Sequence, residues 1–171
     1  MAVKGPDRSR QDLVGEVAAE VMRQLRARAL DSAPWPPTDD ELVFVACSLD
    51  PDMDPVYDAV ACAATSVGLR TVRIKDFQRD YRITDKILIL VQGARLVVAD
   101  LSHDEPNVYF ALGYALGLGK NVITTLKTGA IPHFDVHNSP CLEYIDSRPL
   151  ERRLRERFRL ELKSPPPQVP D

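Results

Sequence analysis

The stretch RLVVADLSHDEPNVYFALGYALGLGKNVITTL, residues 95–126, decides the fold. It opens with an apolar run that predicts a β-strand over 95–100, and it closes with a second run that predicts a strand over 121–126. Between the two strands, Pro106 predicts the first turn of a helix and Gly119 predicts its end. A strand, a helix and a second strand in this order form the repeating unit of a parallel sheet.

The same alternation continues on both sides of this stretch. Helical patterns cover 54–68, 83–94 and 149–162, and further strands are predicted over 41–47, 70–74 and 141–145. For 83–94 a strand is the rival interpretation, because the run ITDKILILVQGA is so apolar. Near-continuous apolar strands that alternate with helices predict a doubly wound, flavodoxin- or Rossmann-like parallel sheet of about five strands with helices on both faces.

Three segments follow from the composition along the chain. Residues 1–40 contain an amphipathic helical pattern at 12–29, with Val14, Val17, Val21 and Leu25 on one stripe, and then the proline-rich linker SAPWPP. Residues 41–162 are predicted to form the α/β domain. Residues 163–171 are predicted to be a disordered tail, because SPPPQVPD cannot hold regular structure.

Charge and hydropathy exclude several classes of function. The chain has 171 residues and a formal net charge of −3, which argues against binding of a nucleic-acid polymer through a basic surface. It contains no apolar run of about 18 residues and no signal peptide, so we predict no membrane association and a cytoplasmic location. Its three cysteines are far apart and form no C-x-x-C pair, which argues against a zinc ribbon or a disulfide framework.

The segment GYALGLGK, residues 113–120, resembles the end of a phosphate-binding P-loop, but it departs from that motif. Tyr114 stands where the first glycine belongs, and Asn121 replaces the serine or threonine. The glycines also lie at the end of a predicted helix, whereas a P-loop precedes its helix. We expect Gly113 and Gly117 to be small residues that let this helix approach a neighbour.

No metal site is predicted. His133 and His137 are four residues apart, but prolines bracket their segment, so they do not share one face of a helix. A receiver-type phosphoacceptor at Asp100, with Asp50 and Asp52 as metal ligands, is also disfavoured. In that arrangement the acids lie directly at the strand end and a lysine closes a later strand, and this sequence provides neither feature.

The start of the helix after residue 100 is the predicted ligand site. Asp100 ends an apolar strand, where a carboxylate is costly unless it caps the next turn or binds a ligand, and both alternatives stay open. Ser102 and Glu105 have the spacing of a capping box, and Asn107 can cap as well. A helix start also suits a phosphate, because its free N–H groups carry partial positive charge. Ligands bind at the carboxyl ends of parallel strands, so the site is expected in the loops after Cys47, Ile74, Asp100 and Leu126.

Five segments support a resemblance to a known family: VFVACS, GLRTVRIKD, GARLVVADLS, PNVYFALGYALGLGK and HFDVHNSPCLEY. Together they resemble the nucleoside 2-deoxyribosyltransferase-like superfamily over about residues 42–160, and most closely its short, TIR-like bacterial nucleotide-binding branch. The resemblance implies cleavage or exchange of the N-glycosidic bond of a nucleoside, nucleotide or NAD-type molecule. It implies no cofactor, and it implies a homodimer, which the apolar stripe of 12–29 could help to form.

The resemblance also assigns roles to individual residues. The nucleophilic glutamate of the family corresponds to Ala111, whose methyl group cannot attack a sugar. Glu105, six residues earlier, corresponds to an acid that touches the sugar and is the remaining catalytic candidate. The implied ligand-binding residues are Cys47, Ser48, Asp76, Asp100, Ser102, Asn107, Tyr109 and Asp135.

Two explanations of Ala111 stay open. A natural alanine gives a pseudoenzyme that binds a nucleotide as a sensor or signalling module. An introduced Glu→Ala change gives an inactive form of an N-glycoside hydrolase or transferase. The surrounding NVYF and LGYA segments keep the pattern of the family in either case.

Overall fold

The computed structural model describes residues 38–76, 82–132 and 141–163, all within the unit Pro36–Asp171. The elements, in chain order, are β1 (Asp39–Ala46), α1 (Asp54–Thr65), β2 (Arg70–Val72), α2 (Ile83–Gly93), β3 (Ala94–Asp100), α3 (Pro106–Gly117), β4 (Asn121–Lys127), β5 (Cys141–Tyr144) and α4 (Ser147–Lys163). The helix predicted at 83–94 is confirmed against its rival interpretation as a strand. None of the described helices is long and apolar enough to cross a membrane.

The five strands form one sheet in the order β2-β1-β3-β4-β5, and every pairing is parallel. The predicted doubly wound α/β class is confirmed. Strand β3 lies in the centre, between β1 and β4. The chain places β2 on one side of β1 and then returns to place β3 on the other. This reversal creates a crevice at the carboxyl ends of β1 and β3, where such sheets bind ligands.

Side-chain alternation along the strands supplies two apolar layers. In β1, Val43 and Val45 face one side of the sheet and Phe44 and Ala46 face the other, as the two-residue period of a strand requires. The first layer packs against α1 and α4, and the second packs against α2 and α3. Burial on both faces explains why the strands are apolar almost throughout.

The helical stripes predicted from the sequence are largely confirmed. Leu150, Leu154 and Phe158 on α4 are each 0% exposed, as their spacing of four residues predicts. Ile83 is an exception. The helical spacing of Ile83, Ile87, Leu90 and Val91 predicts that all four face inward, but Ile83 is the first residue of α2 and is 45% exposed.

Two predicted boundaries differ from the structure. Strand β2 ends at Val72, because Ile74–Asp76 turns into a short 3-10 helix with a hydrogen bond from the Asp76 amide to the Arg73 carbonyl. Strand β1 begins at Asp39, within the segment predicted to be linker. The predicted helix 12–29, the linker SAPWPP, and the tail beyond Lys163 lie outside the described residues.

The glycines of α3 do not have the packing role expected of them. Gly113 and Gly117 are exposed, and a methyl group added at either position would meet no atom within 4 Å. Gly119 follows the helix with a φ of +65°, a left-handed conformation that ends helices and strains other residues. Lys120 then donates hydrogen bonds to the carbonyls of Gln92 and Ala94, at 2.7 and 2.9 Å, and ties the end of α3 to the junction of α2 and β3.

Gly113→Ala and Gly119→Ala should therefore change stability in opposite directions. Alanine at the exposed helical position 113 should raise the free energy of unfolding by about 1 kcal/mol, because it restricts the unfolded chain. Alanine at position 119 should lower that free energy by about 1–2 kcal/mol, because its Cβ is strained at positive φ. Urea unfolding of both variants measures the difference. A loss of stability in Gly113→Ala would contradict the open space seen beside that residue.

Candidate functional site

A crevice of about 120 Å³ opens at the carboxyl ends of β1 and β3. Its volume is below the roughly 300 Å³ at which pockets for drug-sized ligands begin, so the described part can enclose one ring of a ligand. Residues from the ends of β1 and β2, the start of α2 and the start of α3 line it: Cys47, Ser48, Leu49, Asp50, Ile74, Ile83, Glu105, Asn107 and Val108. The structure thus brings together four of the predicted site residues, namely Cys47, Ser48, Glu105 and Asn107.

Ser48 and Glu105 join the two loops that flank the crevice. The Ser48 hydroxyl donates a hydrogen bond to Glu105 Oε1 at 3.3 Å and accepts one from the Asp50 amide at 3.2 Å. Ser48 is 3% exposed, so its hydroxyl needs partners within the protein. Glu105 is half-buried, and this contact holds its carboxylate at the wall of the crevice.

The start of α3 is not a capping box. Glu105 is the N-cap residue, but its side chain makes no capping hydrogen bond. The amides of Val108 and Tyr109 donate instead to the Glu105 carbonyl, at 3.0 and 3.4 Å, and Pro106 has no N–H group. Ser102 points elsewhere. Its hydroxyl lies 3.0 Å from Tyr144 Oη and accepts a hydrogen bond of 2.8 Å from the Lys127 amide.

Asp100 is enclosed by donors from its own fold. It is 2% exposed and accepts hydrogen bonds from the Ser102 amide at 3.0 Å, from Thr125 Oγ1 at 2.6 Å and from Tyr144 Oη at 2.9 Å. Burial and the Asp100 carboxylate raise the pKa of Tyr144, so its hydroxyl stays a donor. Of the two alternatives left open by the sequence, these contacts correspond to the first: Asp100 holds the turn that follows β3.

Ala111 lies inside the apolar layer beneath α3. It is 0% exposed and packs in the same cluster as Ile87, Val91 and Val108. It is not among the residues that line the crevice, although Val108, three residues earlier on the same side of the helix, does line it.

Two further predicted site residues, Asp76 and Tyr109, are not among the residues that line the crevice. Asp76 is exposed and accepts a hydrogen bond of 3.0 Å from Tyr57 Oη. Tyr109 is half-buried and packs against the apolar layer of α2 and α3. Asp135, like the pair His133 and His137, lies outside the described residues.

A polar group next to the crevice was missed by the sequence analysis. Arg73 donates to Asp54 Oδ1 at 2.6 Å, and its guanidinium lies 4.2 Å from the centre of the Tyr57 ring. The hydrogen bond from Arg73 lowers the pKa of Asp54. The only available signal was an arginine within a short predicted strand. This signal is weak, because the partners of Arg73 lie in a different element, α1, and cannot be recognised from the sequence around Arg73.

Cys47 is a buried thiol and not an activated one. Burial is the main reason that its pKa is raised to about 12, and the nearby Asp100 adds to the effect. Since only a thiolate attacks as a nucleophile, Cys47 is inert at neutral pH and serves as an apolar wall of the crevice.

Asp50, Asp52 and His103 could in principle hold a divalent cation. One ligand atom from each lies within 4.8 Å of the others. His103 already contacts both acids, with Nδ1 at 3.6 Å from Asp50 and Nε2 at 3.2 Å from Asp52. Both carboxylates are exposed, and histidine–carboxylate contacts of this kind occur widely on surfaces without a metal.

The comparisons with known proteins agree on the fold. No protein-family model matches the sequence, and no curated protein matches it. Among solved structures, the CMP N-glycosidase BcmB of Clostridium botulinum superposes with a TM-score of 0.53 and 16% identity, over 66% of this chain and 97% of that one. The TIR domain of the Toll-related receptor TRR-2 of Hydra magnipapillata gives 0.56 and 16%, over 74% of this chain and 100% of that domain. This chain shares their fold.

A flavo-diiron protein variant from Thermotoga maritima also superposes, with a TM-score of 0.54 and 14% identity, over 75% of this chain and 36% of that protein. Identities this low establish a common α/β architecture. One of the three is a glycosidase, one a receptor domain and one a flavo-diiron protein, so the fold by itself does not assign a function.

Thr125→Val tests the enclosure of Asp100. The change keeps the shape of the side chain but removes the hydroxyl that donates to the buried carboxylate, so the free energy of unfolding should fall by about 1.5–3 kcal/mol. The matched control is Thr71→Val, whose hydroxyl donates to the phenol of Tyr57 at 3.3 Å. It should cost less, about 0.5–1.5 kcal/mol. Equal losses in urea unfolding would show that Asp100 does not depend on Thr125.

Proposed function

We propose that this chain binds the sugar-bearing part of a nucleoside, nucleotide or NAD-type molecule in the crevice, and that it does not cleave the N-glycosidic bond through position 111. The observation that carries the proposal is the combination of a carboxylate at position 105 with an alanine at position 111. A half-buried carboxylate is held at the crevice by Ser48, while Ala111, six residues further along the chain, is enclosed.

The chemistry explains why this pairing matters. When an N-glycosidic bond breaks, the anomeric carbon of the sugar gains positive charge. A carboxylate directly beneath it can form a covalent bond with the sugar and pass it on to water. A methyl group at 111 provides no electron pair for that bond. Glu105 can still accept hydrogen bonds from sugar hydroxyls, because an ionised carboxylate has about four acceptor sites.

The shared fold supports the ligand class. The CMP N-glycosidase places a nucleotide-processing function on this architecture. The crevice also lies at the reversal of strand order, where doubly wound sheets bind ligands. The likeness to a TIR domain supports a second candidate, a signalling module that binds without turnover. Ala111 fits this candidate too, because a signalling role requires binding and no attack on the sugar.

Ala111→Glu, with Ala111→Gln as the matched control, tests the proposal. Position 111 lies on the same side of α3 as Val108, which lines the crevice, and glutamate there restores the carboxylate that the family resemblance implies. We expect the unchanged chain to bind nucleosides or nucleotides without releasing free base, and Ala111→Glu to release base at a measurable rate. Ala111→Gln has the same shape but no nucleophile, so it should stay inactive. Chromatography of free base and calorimetric titration give the two readouts.

The outcomes separate the parts of the proposal. Base release by the unchanged chain that Glu105→Gln abolishes would show that Glu105 is catalytic and that the chain is an active enzyme. Absence of binding to every nucleoside, nucleotide and NAD would refute the ligand class. An enclosed carboxylate is costly, so Ala111→Glu should melt at a lower temperature, and a melting curve must confirm that it folds. If it does not fold, binding by the unchanged chain still tests the ligand class.

The homodimer and the cytoplasmic location belong to the same proposal. In the family that this chain resembles, a second subunit commonly completes the site. A site of that kind would require the chain to associate at working concentration. Light scattering of the full chain should give twice the monomer mass, and a monomer mass would refute the dimer. Such twofold assembly is the commonest arrangement of soluble oligomers.

A further inference from the structure

The lining of the crevice carries negative charge without a matching positive one. Its ionisable side chains are Asp50, Glu105 and the Cys47 thiol, which is neutral because burial raises its pKa to about 12. Among the residues that the structure describes, neither a lysine nor an arginine lines it. Asp50 is exposed at the rim, whereas Glu105 is half-buried in the wall.

Two described cations close to this lining in sequence, Arg73 and Lys75, are already paired with carboxylates. Arg73 contacts Asp54 at 2.6 Å and Asp76 at 3.6 Å, and Lys75 lies 3.7 Å from Asp54. His103 lies between Asp50 and Asp52, at 3.6 and 3.2 Å. Carboxylates thus neutralise Arg73 and Lys75, so that among the described cations next to the lining in sequence an anionic ligand would have to rely on Arg82, the exposed residue before Ile83.

The helix start that was expected to suit a phosphate follows an N-cap residue, Glu105, that has a carboxylate side chain. A helix N-terminus carries about half a positive charge, whereas Glu105 at the N-cap of α3 carries a full negative one. The amides of Val108 and Tyr109 already donate to the Glu105 carbonyl, and Pro106 has no amide hydrogen. The negative charge therefore outweighs the helix dipole at this point.

We propose that the crevice selects phosphate-free nucleosides, with an uncharged or positively charged base, over the corresponding 5′-phosphates. This inference rests on the proposed function, and it names the ligand within that class. Sugar hydroxyls can donate to Glu105 and to the Asp50 carboxylate, whereas a phosphate next to either would meet a like charge. A cationic base gains from the same two carboxylates.

The experiment compares matched ligands by calorimetry at low ionic strength, with a chelator present so that no divalent cation binds near Asp50. The first comparison pairs the four common ribonucleosides with their 5′-monophosphates. The second pairs nicotinamide riboside, whose base is a cation, with nicotinic acid riboside, whose added carboxylate cancels that charge. We expect each nucleoside to bind at least about tenfold more tightly than its monophosphate, and the cationic riboside more tightly than the neutral one. Both preferences should shrink at about 0.15 M salt, because salt screens partly exposed charges.

Neutral variants attribute the preference to the crevice. Glu105→Gln and Asp50→Asn should each reduce the discrimination between nucleoside and monophosphate several-fold. The matched controls are Glu41→Gln and Asp40→Asn, which remove exposed carboxylates at the opposite, amino-terminal end of β1 and should leave the discrimination unchanged.

Three outcomes would overturn the inference in distinguishable ways. Monophosphates that bind as tightly as nucleosides, or more tightly, would refute the charge selection while the proposed function stands. If Arg82→Gln then weakened the monophosphate alone, the exposed arginine beside Ile83 would be identified as a phosphate contact. If none of these ligands binds the unchanged chain, both the selection and the proposed function fail.

Discussion

The buried carboxylate of Asp100 is the constraint on which the rest of the site depends. It ends the central strand and is 2% exposed, so leaving it without hydrogen-bond donors would cost several kcal/mol. Its donors come from the next turn, from β4 through Thr125 and from β5 through Tyr144. One side chain thereby fixes the relative positions of three neighbouring strands and the loop that leaves them.

That loop carries the crevice. Ser102 continues the network through Tyr144 and the Lys127 amide, so the turn after β3 is held against the far side of the sheet. Three residues later the chain reaches Glu105, whose carboxylate meets Ser48 from the loop after β1. A polar network inside the sheet therefore holds one side of the crevice. The single contact between Ser48 and Glu105 holds the other side. Such a framework places the carboxylate before any ligand arrives, which lowers the ordering cost of binding.

The hydrophobic periodicity of the sequence and its proline and glycine positions were sufficient to predict the sheet. The runs that became β1, β3 and β4 are mostly apolar where they pack, and the stripe of Leu150, Leu154 and Phe158 could face only inward. The partners of Asp100 could not be predicted, because Thr125 and Tyr144 are 25 and 44 residues away and become neighbours only through the strand order. Ser102 matched a capping box by spacing alone, yet a nearby phenol and amide competed for its hydroxyl. Gly113 was expected to permit close packing. A single glycine in a sequence, however, does not reveal whether that residue is buried or exposed.

Packing alone explains the residue at position 111 but not the residue at position 48. An alanine at an enclosed helical position is what packing alone favours, since a carboxylate there must be desolvated and gains nothing unless it reacts. Ser48 and Glu105 are the opposite case. The Ser48 hydroxyl is 3% exposed and supports the half-buried carboxylate of Glu105. An apolar pair at these two positions would stabilise the fold at least as well. A site that had lost both reaction and ligand would be free to replace this pair with apolar residues. An apolar residue at position 111 and a supported carboxylate at position 105 are the combination that the proposed function requires, because that function is to bind a sugar without attacking it.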